Sequence, residues 1–136
     1  PAAENGDGDF EHILGVFYRD GKFVQKSFDL AVYWLTKSAS KDNSNSQVLL
    51  GQIFAFDFGG LGNIDEGIRW LTESAASNNA LACTYLGEVH AKGLKTGTPD
   101  YESAAIAFTK GSELGSIESK QKLAYYYSNG LGMVNR

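Results

Sequence analysis

The sequence predicts an all-α protein made of a row of antiparallel helix pairs, and three observations carry that prediction. Leu-Gly dipeptides sit inside apolar helical patterns at Leu14-Gly15, Leu50-Gly51 and Leu86-Gly87, each 36 residues from the next. Trp34 and Trp70 keep the same spacing. Two rows of small or turn-forming residues share it: Ala3, Ala39, Ala75 and Ser112, then Gly6, Asp42, Asn78 and Gly115, with the last step lengthened to 37. A fixed period of this length is the mark of stacked supersecondary units.

Each element follows in order. Phe10, Leu14, Phe17 and Tyr18 form one stripe at helical spacing, and so do Leu49, Ile53 and Phe54, then Tyr85, Leu86 and Val89. Gly15, Gly51 and Gly87 lie mid-helix, where glycine costs roughly 1 kcal/mol relative to alanine. A recurring cost implies a recurring benefit, the close approach of a neighbouring helix. Ala124 fits the same demand in the last unit. Ala31, Gly67 and Ala104 precede Trp34, Trp70 and Ala107 by three residues, with Phe108 expected to take over the ring's role in the third unit. Gly6, Asp42, Asn78 and Gly115 tolerate the left-handed conformation that ends a helix. Val48 shares the second stripe with Leu49 as an alternative, as Tyr85 does with Leu86 in the third. The expected helices are 8–20, 27–41, 45–57, 64–77, 81–92, 100–113 and 117–129, with the extra residue of the third unit in the 95–99 loop.

Composition narrows function by exclusion. The chain has 136 residues, which fits one domain, and carries 12 basic against 16 acidic residues, a net charge of -4. No basic face for nucleic acid is expected. No apolar run approaches the roughly 18 residues that span a bilayer. Cys83 is single and forms no internal disulfide, so periplasm and cytoplasm are both compatible. No signal peptide is visible. The start at Pro1, the 1–7 segment resembling the tail of a second helix, and the 130–134 turn leading to no further helix suggest a mature form or a piece of a longer array.

Chemical motifs are weak. Cys83 and His90 lack the converging partners of a metal site, and His90 occupies an aromatic core position. No metal and no cofactor are expected. Gly60-Leu61-Gly62 follows a helix, not a strand, and reads as a turn instead of a phosphate loop. No Ser-His-Asp or Cys-His set is brought together. Asp7, Asp9 and Glu11 read as a solvated cap at a helix start.

The unit resembles the Sel-one-like repeat family, a branch of the tetratricopeptide superfamily. The first unit supplies Leu14-Gly15, Tyr18, Gly21, Val24, Ala31, Trp34 and Ala39; the third supplies Ala82, Leu86-Gly87, Gly93, Asp100, Ala104 and Gly115. Phe54 and His90 depart from the family's tyrosine, Asp57 from its first turn glycine and Phe10 from its alanine. The resemblance implies an alpha-alpha superhelix (solenoid) of about three to three and a half repeats, divided as 8–43, 44–79, 80–116 and 117–136. First helices would line a concave face.

It also implies a non-catalytic scaffold that binds a protein or peptide on that face. The expected contacts are His12, Val16, Arg19, Val48, Gln52, Ala55, Thr84, Glu88, Gln121 and Tyr125, with Ala91 and Ser128 completing the pattern. Of Tyr125, Tyr126 and Tyr127, at least one ring must leave the core, because three adjacent helical residues span about 200°. Two alternatives stand beside the scaffold: a bacterial immunity protein neutralising a secreted toxin such as a lipase, and a structural segment of a larger protein.

Overall fold

In the computed structural model, which describes residues 8–132, seven α-helices and one short 3-10 turn make up the described chain. The helices are α1 (Asp9–Asp20), α2 (Phe28–Ala39), α3 (Ser44–Ala55), α4 (Ile64–Ala76), α5 (Ala80–Ala91), α6 (Tyr101–Glu113) and α7 (Ile117–Asn129), with the 3-10 turn at Phe58–Gly60. The fold class is therefore the all-α helix-pair repeat. Ala3, Gly6, Asp7 and the 133–134 dipeptide lie outside the described residues. The chain divides into two compact units, Pro1–Glu73 and Ser74–Arg136.

Helix boundaries follow from turn chemistry. Asp42 and Asn78 adopt left-handed backbones (φ 65° and 64°), as does Gly115. The residue after each is an N-cap: Asn43 accepts from the Ser46 N–H, Asn79 from those of Leu81 and Ala82, and Ser116 from that of Ser119. Ser27 and Asp100 cap the second helices by accepting from the Leu30 and Ser103 N–H groups. One helix thus ends and the next begins within a few residues, which keeps the period short. Asp57 replaces a turn glycine without loss, because aspartate also tolerates the left-handed region (φ 59°), and its carboxylate accepts from the Gly62 N–H at 2.7 Å. That bond makes the 57–62 segment a closed turn.

The mid-helix glycines meet side chains on the paired helix. A Cβ on Gly15 would lie 2.6 Å from Leu35, and one on Gly51 would lie 2.5 Å from Leu71; on Gly87 it would collide with the Phe108 ring. Phe108 therefore does not substitute for the tryptophan, as its position one residue on had suggested. It is the counterpart of Leu35 and Leu71, filling the space each glycine leaves. Ala124 behaves differently: it is exposed, so no close approach constrains it among the described residues.

Each unit has its own core. Ala31, Leu35, Ala39, Leu50, Ile53 and Trp70 form one cluster, flanked by Tyr18, Phe28 and Phe58. Ala104, Ala105, Phe108 and Tyr126 form the other, where the Tyr126 ring stands edge-on to Phe108 at 5.6 Å and to Tyr101 at 5.8 Å. The acidic cluster at the start of α1 is not a solvated cap throughout. Glu11 is buried and pairs with Lys41 Nζ at 3.0 Å, since burial of a carboxylate demands a partner.

Candidate functional site

Equivalent positions on successive first helices form rows, and the rows divide into those that pack and those that face solvent. His12, Val48, Thr84 and Gln121 make one row. In the first unit the His12 Nδ1 lies 2.7 Å from Ser46 Oγ; Ser46 donates to Ser38 Oγ, which donates to the Gly8 carbonyl. In the second unit Thr84 Oγ1 lies 2.8 Å from both Ser116 Oγ and Ser119 Oγ. This row is thus a seam that joins a first helix to the first helix of the next repeat by hydroxyl hydrogen bonds. Val48 and Thr84 are buried and serve packing, contrary to their expected place on a binding face, while Gln121 is exposed. Burial holds the half-buried His12 imidazole below its ordinary value; Asp9 opposes that shift and Arg19 adds to it.

Ala55 is also withdrawn from the surface. The α-carbon of Gly67 sits on it so closely that a Cβ there would lie 2.6 Å from the Ala55 nitrogen. Ala91 packs beside the second core cluster, and Arg19 is half-buried and paired with Asp20 at 2.8 Å. Ser128 is exposed.

The row that does face solvent is Val16, Gln52, Glu88 and Tyr125; the first three are half-buried and Tyr125 is exposed. Its neighbours are rows that sequence reasoning missed. In the first unit these are Ile13, Asp20, Asn45, Leu49 and Phe56; in the second, Leu81, Tyr85, Lys92, Glu118, Lys122 and Asn129. The expected Val16, Gln52, Glu88 and Tyr125 positions are kept, and each flanking position is replaced by the next residue along the helix. A signal existed in the sequence: His12 and Thr84 precede Ser46 and Ser119 by 34 and 35 residues, the spacing of a polar contact between adjacent repeats.

The two units give the strip different characters. In the first it is largely apolar, with Ile13, Val16, Leu49 and Phe56. In the second, burial pushes the Glu88 carboxyl above its ordinary range, and a hydrogen bond and the charge of Glu118 push it further, with Lys92 and Lys122 opposing. The Glu88 and Glu118 carboxyls thus act on each other with Lys92 and Lys122 nearby, on a face that also carries Tyr85 and Tyr125. Of the three adjacent tyrosines, Tyr126 enters the core, and Tyr125 and Tyr127 are exposed.

Among the described residues no group of three or more His, Cys, Asp or Glu side chains could hold a metal ion, and no helix is long and apolar enough to cross a membrane. Cys83 is buried, and burial pushes its thiol up.

Comparison with known proteins places this geometry. The Sel1 repeat family matches residues 9–43, 44–79, 80–116 and 117–136. Among solved structures, a protective antigen present in uropathogenic Escherichia coli strains, with an SLR fold, superposes with a TM-score of 0.81 at 31% identity, covering 96% of this chain and 28% of that one. A Sel1 repeat protein from Oxalobacter formigenes superposes with a TM-score of 0.79 at 24% identity, covering 96% of this chain and 51% of its own, a likeness of fold. The chain thus spans about half or less of each. No curated protein matches the sequence.

Proposed function

We propose that this chain, which belongs to the Sel1 repeat family, is a non-catalytic scaffold that holds a partner protein or peptide on solvent-facing first-helix positions within its repeat units. One observation carries the reading. In each unit the Val16, Gln52, Glu88 and Tyr125 positions keep part of their surface in solvent, and their side chains are apolar, amide, carboxyl and phenol in turn. Accessible positions of mixed chemistry suit recognition of an irregular partner. The shifted groups are engaged structurally: His12 bonds to the Ser46 hydroxyl in the seam, and Glu88 is held by its neighbour Glu118. Ser46 is fully buried and donates onward to Ser38, so this His-Ser pair is not presented to a substrate, which supports a binding role.

The test is capture from host lysate on the immobilised chain, with Gln52→Ala, Glu88→Ala and Tyr125→Ala alongside. A single stoichiometric partner is expected. Tyr125→Ala should weaken its binding by a factor of about thirty, the scale of an interface tyrosine worth about 2 kcal/mol. Retention of the partner by all three folded variants would remove the strip from the argument. A turnover assay against ester, peptide and glycoside substrates bears on the catalytic alternative: sustained activity that survives repurification would refute the scaffold reading. If the partner proves to be a secreted enzyme encoded alongside this chain, the scaffold acts as an immunity protein.

A further inference from the structure

We propose that the turn between α1 and α2 is a second docking site, in which Phe23 is the anchor contact and Lys22 and Lys26 receive an acidic peptide segment of a partner protein. The site lies apart from the first-helix strip and stands independently of it.

Phe23 breaks two rules at once. Its backbone is left-handed (φ 67°), a conformation that costs a residue with a Cβ about 1–2 kcal/mol. Its side chain is 81% exposed, so burial returns little of that cost. The equivalent positions one and three repeats on are Gly59 and Gly132, with φ of 64° and 70°, and glycine adopts that backbone without penalty. The fold therefore asks for glycine here, and this repeat presents an aromatic ring instead. Strain of this kind, with no packing to account for it, directs attention to function.

The ring is held in place. Phe17 meets it edge-on, with centroids 5.1 Å apart and planes at 74°, and Lys22 Nζ lies 5.4 Å from its centroid. A positioned, exposed aromatic loses little side-chain entropy on binding, which is the property of an interface anchor.

Charge identifies the occupant. Segment 19–26 carries Arg19, Lys22 and Lys26 against Asp20 alone, and Arg19 is already paired with that carboxylate. Two ammonium groups remain in excess on this segment, Lys22 over the Phe23 ring and Lys26 over the Phe28 ring at 5.2 Å, on a chain whose net charge is -4. A partner segment with an apolar side chain flanked by carboxylates matches this pattern. A bilayer matches it less well: one ring inserts little apolar area, and the overall negative charge opposes an anionic surface.

The experiment uses the whole chain and fluorescence anisotropy with labelled synthetic peptides, each bearing a central tryptophan, leucine or phenylalanine flanked by glutamates on both sides. Lysine-flanked versions serve as controls. Glutamate-flanked peptides should bind and lysine-flanked ones should not. Phe23→Gly should weaken binding at least about tenfold while leaving Tm unchanged or raised, because glycine relieves the backbone. Lys22→Gln with Lys26→Gln should weaken binding and flatten its salt dependence.

Five results overturn the proposal, the first two from the peptides alone. One is that no glutamate-flanked peptide binds, and the second is that both peptide classes bind equally. The third is a lowered Tm for Phe23→Gly, which makes the ring a packing residue. The fourth is Phe23-dependent sedimentation with phosphatidylserine vesicles in place of peptide binding. The last is a concentration-dependent dimer abolished by Phe23→Gly, which makes a second copy the occupant.

Discussion

In the first unit the solvent-facing strip reads Ile13, Val16, Leu49, Gln52 and Phe56; in the second it reads Tyr85, Glu88, Lys92, Glu118, Lys122 and Tyr125. Beneath these strips the two units solve the same packing problem in the same way, with a glycine opposite a large side chain, a capped turn and a buried hydroxyl seam. The comparison teaches that the period fixes the glycine row and the capped turns, while the first-helix surface rows diverge. The units are thus alike in what holds them together and unlike in what they offer a partner.

The glycine row gives the sharpest way to break the likeness, because Gly51 and Ala124 are equivalent positions in opposite surroundings. Gly51→Ala places a methyl 2.5 Å from the Leu71 branch carbon and 3.1 Å from the Gly67 carbonyl, atoms that do not swing aside as a chain end would. It should destabilise by about 1–3 kcal/mol despite alanine's better helix propensity. Ala124→Gly, on an exposed face, should cost only the propensity difference of about 1 kcal/mol. Urea unfolding of both variants measures this. A neutral or stabilising Gly51→Ala would show that the helix pair tolerates wider spacing than its glycine suggests.

The contrast between Gly51 and Ala124 also marks how far sequence could lead. Period, helices and turn residues were legible because each is a local rule written in residue type: Asp42 and Asn78 announce left-handed turns. That Gly51 needs a close neighbour was legible; that Ala124 has none was not, because exposure depends on what packs from elsewhere. Some of the expected contact positions are withdrawn from the surface for a related reason. His12, Val48 and Thr84 look like surface residues beside an apolar stripe, but a first helix packs on two sides, against its own partner and against the next repeat. The second contact shows only when Ser46 and Ser119 are paired with His12 and Thr84. Phe23 was passed over because nothing in an isolated phenylalanine signals φ of 67°.

The seams offer a smaller test of whether the two units are held alike. Thr84→Val keeps the shape but removes the hydroxyl that bonds Ser116, Ser119 and the Ala80 carbonyl, and should cost about 1–2 kcal/mol. Ser46→Ala breaks the link between His12 and Ser38 in the first unit and should cost about the same. Thermal unfolding of both variants compares the seams. If one were silent, the seam would be structural in only one unit.

The smallest expected effect distinguishes the units by the sign of their response to acid. His12 is held below its ordinary value of 6.5, so its contribution is present above that pH and is lost as pH falls through the lowered value, when the imidazole must charge inside the seam. Glu88 is held above its ordinary value of 4.5, so its contribution is present below that pH and is lost as pH rises through the raised value, when two carboxylates face each other. Mild acid should therefore loosen the first seam and relax the second strip. Glu88→Gln should raise Tm at neutral pH, a gain of less than about 1 kcal/mol because the pair is half-exposed and flanked by Lys92 and Lys122. That gain should vanish below the ordinary carboxylate range and shrink with added salt. His12→Gln should remove the acid-sensitive opening of α1 and α3, read by hydrogen exchange of their amides, and leave α5 and α7 unchanged. A Glu88→Gln gain that persisted in acid would mean that ionisation of Glu88 is not its source, and the charged character assigned to the second strip would then rest on Lys92 and Lys122 alone.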